Sequence, residues 1–232
     1  MPATWMLALA TTAFVGSHYA MSHPLRTGLV ARLGDRGFLL VYSLVAFGTL
    51  GAIIWSWRAI EQAAPAWIAP LAWWSVASAL MLVACILLAG SLIGNPALPH
   101  PGAAPRVIAA PRGVFAITRH PMNWSIAIWA LVHLSLSGSV RNIIVASAML
   151  VLALAGSVGQ DRKKEKLIGE AWRDYERRTS FLPFAGLLTG RVEWRALVPA
   201  WKAALAGLIL WAAVTSFHAP LVSPIGDALR FP

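Results

Sequence analysis

Histidine is the residue type in this chain best suited to hold a metal or a cofactor, and it occurs six times. Neutral imidazole is a good ligand for iron, copper and zinc. His18 and His133 fall inside long apolar stretches, where an ionisable group is expensive and usually functional. His23 and His120 lie at the borders of such stretches, each followed by a proline. The dipeptides His23-Pro24 and His120-Pro121 also have a structural explanation, because a proline begins or ends a helix.

The other residue types narrow the metal chemistry to haem. No carboxylate or thiol is placed to complete a zinc site, and the one cysteine, Cys85, lies in an apolar run without a C-x-x-C-H pattern. Histidines on neighbouring helices commonly hold haem within a helix bundle. We therefore expect haem b, with His18 and His133 as the iron ligands. His23 and His120 form the alternative pair because they match in depth, whereas His18 is about two helical turns nearer the cytoplasm than His133.

The composition places these histidines in a membrane protein. Of the 232 residues, 58% are hydrophobic and only 12% are charged, whereas a soluble domain has about 25% charged residues. This excess of apolar side chains does not fit into one globular core, so a bilayer is the expected solvent. Many of the twelve tryptophans lie near the ends of apolar stretches, as in an interfacial aromatic belt.

The apolar stretches predict six transmembrane helices of roughly 20 residues. They lie near residues 4–22, 37–57, 70–94, 122–138, 140–159 and 199–217. Of the 19 Lys and Arg residues, 16 fall in the odd-numbered connections, which the positive-inside rule places in the cytoplasm, with both termini outside. The same rule explains the net charge of +10 without a nucleic-acid partner. The predicted fold is an all-α polytopic membrane helix bundle that forms a single domain, 1–232.

The segments outside the spans have their own predicted structures. Residues 161–178 form an amphipathic cytoplasmic helix, which either lies on anionic membrane lipids, packs on the bundle or acts as a lid. The connection 95–119, which contains His100, is rich in Pro, Gly and Ala and is expected to be irregular. Residues 1–21 lack a basic region at the start, so they are expected to be a retained span and not a signal peptide.

Several motifs along most of the chain resemble the NnrU family of bacterial membrane proteins. These motifs are Gly16-Ser17-His18, Ser22-His23-Pro24-Leu25-Arg26, Leu33-Gly34-Asp35-Arg36-Gly37-Phe38, Tyr42-Ser43-Leu44, Thr118-Arg119-His120-Pro121-Met122, His133-Leu134 and Gly169-Glu170-Ala171-Trp172. The resemblance implies a multi-pass protein of the bacterial inner membrane. It also implies an association with nitrite and nitric oxide reduction, so one expected role is that of a non-enzymatic accessory factor in denitrification.

The NnrU family is in turn related to the zeta-carotene isomerases, which are haem b membrane enzymes that convert a cis double bond of a carotenoid to trans. This relationship implies a haem-dependent isomerase that acts on a polyene. His18 and His133 fall where the isomerases have haem-associated histidines, and Arg119-His120-Pro121 also corresponds. His23 is a serine there, and a haem-associated cysteine falls on Ala130 of this chain.

A second resemblance, over Arg119 to Pro183, is to isoprenylcysteine and phospholipid methyltransferases. Those enzymes bind S-adenosylmethionine with a His-Pro corner and a tandem Glu-Glu. The corresponding stretch here reads Asp161-Arg162-Lys163-Lys164-Glu165, so the paired acids that would face the cationic sulfonium are missing. The resemblance implies a shared fold with the methyl-donor site lost, and a degenerate methyltransferase is the third expected function.

Overall fold

The computed structural model describes residues 2–61, 64–96 and 108–222, with the side chains of 199–200 and 218–222 excepted. Within these ranges the chain is helical, apart from turns, irregular segments and an isolated antiparallel bridge between Ile68 and Ser137. The predicted all-α class is therefore confirmed. His100 and the side chain of His218 lie outside the described residues.

Nine α-helices and one 3₁₀ helix make up the described part of the chain. In order they are α1 (Ala3–Ser22), α2 (Arg26–Arg58), α3 (Leu71–Ser91), α4 (Val114–Ile117), α5 (Pro121–Leu136), α6 (Val140–Ile168), α7 (Glu170–Arg177), α8 (Ala185–Leu188), the 3₁₀ helix Trp194–Ala200 and α9 (Trp201–Val222).

Each predicted span corresponds to one of the longer helices. Three of them, α2, α3 and α6, are long and apolar enough to cross a membrane, and α9 contains a shorter apolar stretch, Trp201–Phe217. Side chains such as Leu44, Phe47 and Phe217 are exposed on the surface of the bundle. An apolar surface of this kind suits lipid and not water, so the chain is a membrane protein.

The long helices pack side by side in a row. Helix α1 lies against α2 and α6, α6 also contacts α5, and α3 contacts both α5 and α9. The order across the row is therefore α2, α1, α6, α5, α3 and α9. This arrangement makes α6 the element that connects the helix of His18 with the helix of His133.

Helix α2 begins earlier than the predicted span at residue 37. It contains a kink at Gly34, whose φ of 68° and ψ of 171° are not helical. Positive φ is readily adopted by glycine, which has no Cβ. The guanidinium of Arg26 lies 4.9 Å from the centre of the Phe38 ring, so the segment before the kink folds back beside the segment after it.

Helix α6 also differs from the predicted boundary between a span at 140–159 and an amphipathic helix at 161–178. It continues without a break to Ile168, and the chain turns at Gly169, where φ is 56°. Its apolar part, 140–159, matches the predicted span, and its charged end continues beyond that part. Helix α7 then buries Trp172 and Tyr175 against Ile108 and Ile168, so the amphipathic face packs on protein.

Helices α3 and α9 approach each other closely at Gly207. A Cβ at this position would lie 2.5 Å from Cα of Ile86 and 2.7 Å from its backbone nitrogen. We expect Gly207→Leu to separate the two helices and to lower the unfolding free energy by about 1–3 kcal/mol. Thermal unfolding in detergent micelles measures this. Gly51→Leu in α2, where an added Cβ meets no atom within 4 Å, is the matched control. Equal melting of both variants would contradict the prediction.

Candidate functional site

Contacts with α6 set the relative depth of α1 and α5. His23, at the end of α1, packs on Gly159 of α6, and an added Cβ there would lie 2.5 Å from Nε2 of His23. Asn123, near the start of α5, donates a 2.8 Å hydrogen bond from Nδ2 to Oγ of Ser157. The end of α1 and the start of α5 therefore meet α6 at the same level, and α1 and α5 run in opposite directions.

His18 is held by its own helix. Its Nδ1 lies 2.8 Å from the carbonyl oxygen of Phe14, one turn earlier. Its ring is 4.1 Å from the Phe14 ring and meets Tyr42 of α2 edge-on at 5.3 Å between centroids. Because a carbonyl oxygen can only accept, Nδ1 carries the proton and Nε2 is the unprotonated nitrogen in the neutral ring.

His133 has the same local arrangement on α5. Its Nδ1 lies 2.8 Å from the carbonyl oxygen of Trp129, and the two rings are 4.4 Å apart. Asn142, at the start of α6, donates a 2.7 Å hydrogen bond to the backbone oxygen of His133. A backbone hydrogen bond at Nδ1 is the usual way to orient a metal-binding histidine and to make Nε2 its ligand atom.

The side-chain directions reduce the difference in depth that the sequence indicates. His18 lies five residues before His23, and His133 lies ten residues after Asn123, so their Cα atoms differ in depth by about 10 Å. Side chains on a helix lean toward its N-terminus. Because α1 and α5 run in opposite directions, this lean brings the two rings closer in depth than their Cα atoms are. The tautomers of both residues fit iron ligation through Nε2, and the ligand pair itself stays a prediction.

His120 occupies a different environment. Its side chain is fully buried at the start of α5, with Nδ1 3.2 Å from Oε1 of Gln160 and Nε2 2.9 Å from Oδ1 of Asp161. Both ring nitrogens therefore lie against α6, which gives His120 a structural role in joining the two helices. His23 packs on α6 from the other side, and burial together with the nearby charge of Lys163 lowers its pKa.

A buried ion pair beside His120 was not predicted from the sequence. Arg119 donates to Asp161 from Nε at 3.0 Å and from Nη2 at 2.7 Å, and its Nη2 also lies 3.6 Å from Oε1 of Glu176. Burial raises the pKa of Asp161, but hydrogen bonds from His120 and Arg119 outweigh this and hold the pKa below its usual range. The carboxylate is therefore ionised and joins α5, α6 and α7 at the cytoplasmic end of the predicted orientation.

This ion pair bears on the predicted degenerate methyltransferase site. Asp161 is the first acid of the stretch that matches the tandem Glu-Glu of the methyltransferases. Its two carboxylate oxygens are bound by Arg119 and approached by His120. A sulfonium cation would have to displace a bidentate arginine to reach them. The geometry therefore gives no support to S-adenosylmethionine as a cofactor.

An open groove of about 360 Å³ lies between α1 and α6. Small side chains line it, and they are Thr11, Thr12, Val15, Gly16, Ser147, Ala148 and Val151. Thr11 donates its hydroxyl hydrogen to Leu7 O within α1, which reduces the polarity of the wall. On α1 the lining residues precede His18 in the chain, so the groove offers an apolar ligand a position between α1 and α6.

Comparison with known proteins places the chain in a family. Residues 6–224 match the family model described as NnrU protein. The 15-cis-zeta-carotene isomerase of Arabidopsis thaliana chloroplasts is 38% identical over 82 residues, and the corresponding Zea mays protein is 33% identical over 79 residues. Each match covers 34% of this chain and 22% of the relative. No solved structure matches significantly. The chain belongs to the NnrU family.

Proposed function

We propose that this protein is a membrane isomerase that acts on a long apolar polyene, with a cis-to-trans double-bond rotation as its reaction. The similarity to the chloroplast 15-cis-zeta-carotene isomerases is the observation that carries this proposal. The apolar outer surface of the bundle and the groove between α1 and α6 support it, because such a substrate reaches the protein from within the bilayer.

The proposed membrane placement has six spans in the bacterial inner membrane. Helices α1, α2, α3, α5, α6 and α9 provide the spans, with both termini outside. The concentration of Lys and Arg in alternate connections supports this orientation. The parallel packing of α1 and α6 and the antiparallel packing of α5 and α6 agree with it, since spans one and five must run in the same direction.

The proposed cofactor is haem b, bound by His18 and His133. When bound, haem iron supplies a redox-active metal centre that can exchange electron density with a conjugated chain. The hydrogen bonds to Phe14 O and Trp129 O fix the ring orientation and leave Nε2 as the atom of each histidine that would bind the iron. Tyr42 packs edge-on against the His18 ring, and Trp129 packs against the His133 ring.

A host that accumulates 15-cis-zeta-carotene provides the direct test. Expression of this protein is expected to convert the 15-cis bond to trans in the dark, which separation of the carotenoid isomers by chromatography measures. The dark condition matters because light isomerises the same bond without an enzyme. If the protein is abundant in the membrane and no isomer is converted, the isomerase proposal is wrong and the accessory role in denitrification is favoured.

A variant of the groove separates substrate access from folding. An added Cβ at Gly16 meets no atom within 4 Å, so Gly16→Leu is expected to leave the packing of α1 and α6 intact while it narrows the groove. We expect conversion to fall by about 10-fold, with an unchanged melting temperature. Gly48→Leu in α2, where an added Cβ also meets open space, is the control and is expected to keep full conversion. Equal conversion by both variants would place the substrate elsewhere.

A further inference from the structure

A cluster of positive side chains, Arg26, Lys163 and Lys164, lies where α1, α2 and α6 meet at the end of the apolar part of α6. His23 brings the end of α1 onto Gly159, one turn before Lys163. Arg26, three residues after His23, begins α2, and its positive charge contributes to lowering the pKa of Lys163 and of Lys164. Lys164 donates a 3.1 Å hydrogen bond from Nζ to Pro96 O.

Every ion pair among the described residues involves a cation other than Arg26 or Lys163, so no carboxylate of these residues pairs with either side chain. Lys163 is half-buried. Burial, together with the charges of Arg26 and Lys164, lowers its pKa to about 8. A half-buried ammonium among positive neighbours is unfavourable unless an anion completes the site.

We propose that Arg26 and Lys163, supported by Lys164, bind the phosphate of an anionic phospholipid headgroup. Basic pockets between membrane helices on the cytoplasmic side are typical sites for such headgroups. The cluster lies at the depth where the apolar residues of α6 end, which is where the phosphate of the inner leaflet lies. The site rests on the membrane placement proposed above and not on the isomerase activity.

The test measures how phosphatidylglycerol stabilises the purified protein in a neutral detergent. Phosphatidylglycerol is expected to raise the melting temperature with saturation, and phosphatidylcholine is expected to do so much less. Lys163→Gln and Arg26→Gln are each expected to weaken the apparent affinity about fivefold, which corresponds to about 1 kcal/mol for each cation. Without lipid, Lys163→Gln is not expected to melt earlier, since it removes a repulsive charge, whereas Arg26→Gln also loses the contact with the Phe38 ring.

Arg32→Gln is the matched control because Arg32 is exposed on the same segment of α2 as Arg26 and the change in net charge is identical. It is expected to keep the wild-type affinity. If Arg32→Gln lowered the affinity for phosphatidylglycerol as much as the other two variants, the effect would come from net charge alone, and the proposed site would be wrong. Inorganic phosphate at millimolar concentration is expected to leave lipid binding unchanged. If phosphate alone reproduced the stabilisation and displaced the lipid, the ligand would be a free phosphate and the lipid assignment would be wrong.

Discussion

Replacing Asp161 by asparagine is expected to destabilise the protein by about 3–5 kcal/mol, the typical effect of removing one partner of a buried ion pair. Asparagine keeps only one of the two oxygens that Arg119 and His120 share, so the Arg119 guanidinium loses its charged bidentate acceptor and an NH2 group faces one of the two donors. Glu176, at 3.6 Å from Arg119, is too far to replace both hydrogen bonds. Thermal unfolding in detergent, followed by the near-ultraviolet circular dichroism of the tryptophans, measures the loss.

Glu170→Gln is the control for Asp161→Asn, because it removes the same charge from an exposed carboxylate whose partners Arg173 and Arg177 are also exposed. It is expected to melt close to the wild type, since exposed ion pairs contribute little. The double variant Arg119→Met with Asp161→Leu is expected to recover part of the stability, because it removes both buried charges. Similar melting temperatures for Asp161→Asn and Glu170→Gln would show that the buried pair contributes no more than a surface pair.

The long helices could be predicted from the sequence because each one follows from a continuous apolar stretch that only a bilayer accommodates. The helix boundaries were less predictable where glycine has two possible roles. Gly159 follows an apolar stretch and looks like a helix end, but it lies inside α6 and provides the surface on which His23 packs. Gly169 ends the helix, with a positive φ. Only the backbone conformation distinguishes the glycine that packs from the glycine that turns.

The ion pair between Arg119 and Asp161 could not be read from local patterns, because the partners are 42 residues apart. A signal was nevertheless present. The two apolar stretches on either side of 137–139 form a hairpin, so the residues at its open end meet, and Arg119 precedes the first stretch while Asp161 follows the second. The amphipathic pattern predicts a separate helix from Asp161 to Arg178, and this prediction hid the position of Asp161 at the open end of the hairpin.

The smaller difference in depth between the His18 and His133 rings was also hidden from the sequence. Counting residues locates Cα atoms, and these differ by about 10 Å along the bundle. The ring positions depend on side-chain direction, which the hydrogen bonds to Phe14 O and Trp129 O fix. Opposite helix directions then bring the two rings toward the same level. The sequence could therefore nominate the two residues, but the relative depth of their rings depends on the rotamers.

His18→Ala and His133→Ala are each expected to lower the haem content of the purified protein by about 10-fold or more, since loss of even a supporting contact of a metal ligand has effects of about this size. The Soret band and a pyridine haemochrome assay measure the content after expression with a haem precursor. Both positions lie outside the buried ion-pair cluster, so the melting temperatures of the haem-free proteins are expected to remain close to one another. This separates loss of a ligand from loss of the fold.

His100→Ala, in the connection between α3 and α4, is the control for His18→Ala and His133→Ala. It is expected to keep the Soret band. His23→Ala tests the alternative pair, and it is expected to keep the band as well because Nε2 of His23 packs on Gly159. Added imidazole is expected to restore the band in His18→Gly, where the missing side chain leaves room for the free ligand. If the wild type showed no Soret band after haem supplementation, haem b would not be its cofactor. If His23→Ala lost the band while His18→Ala kept it, the iron ligands would lie at the cytoplasmic border.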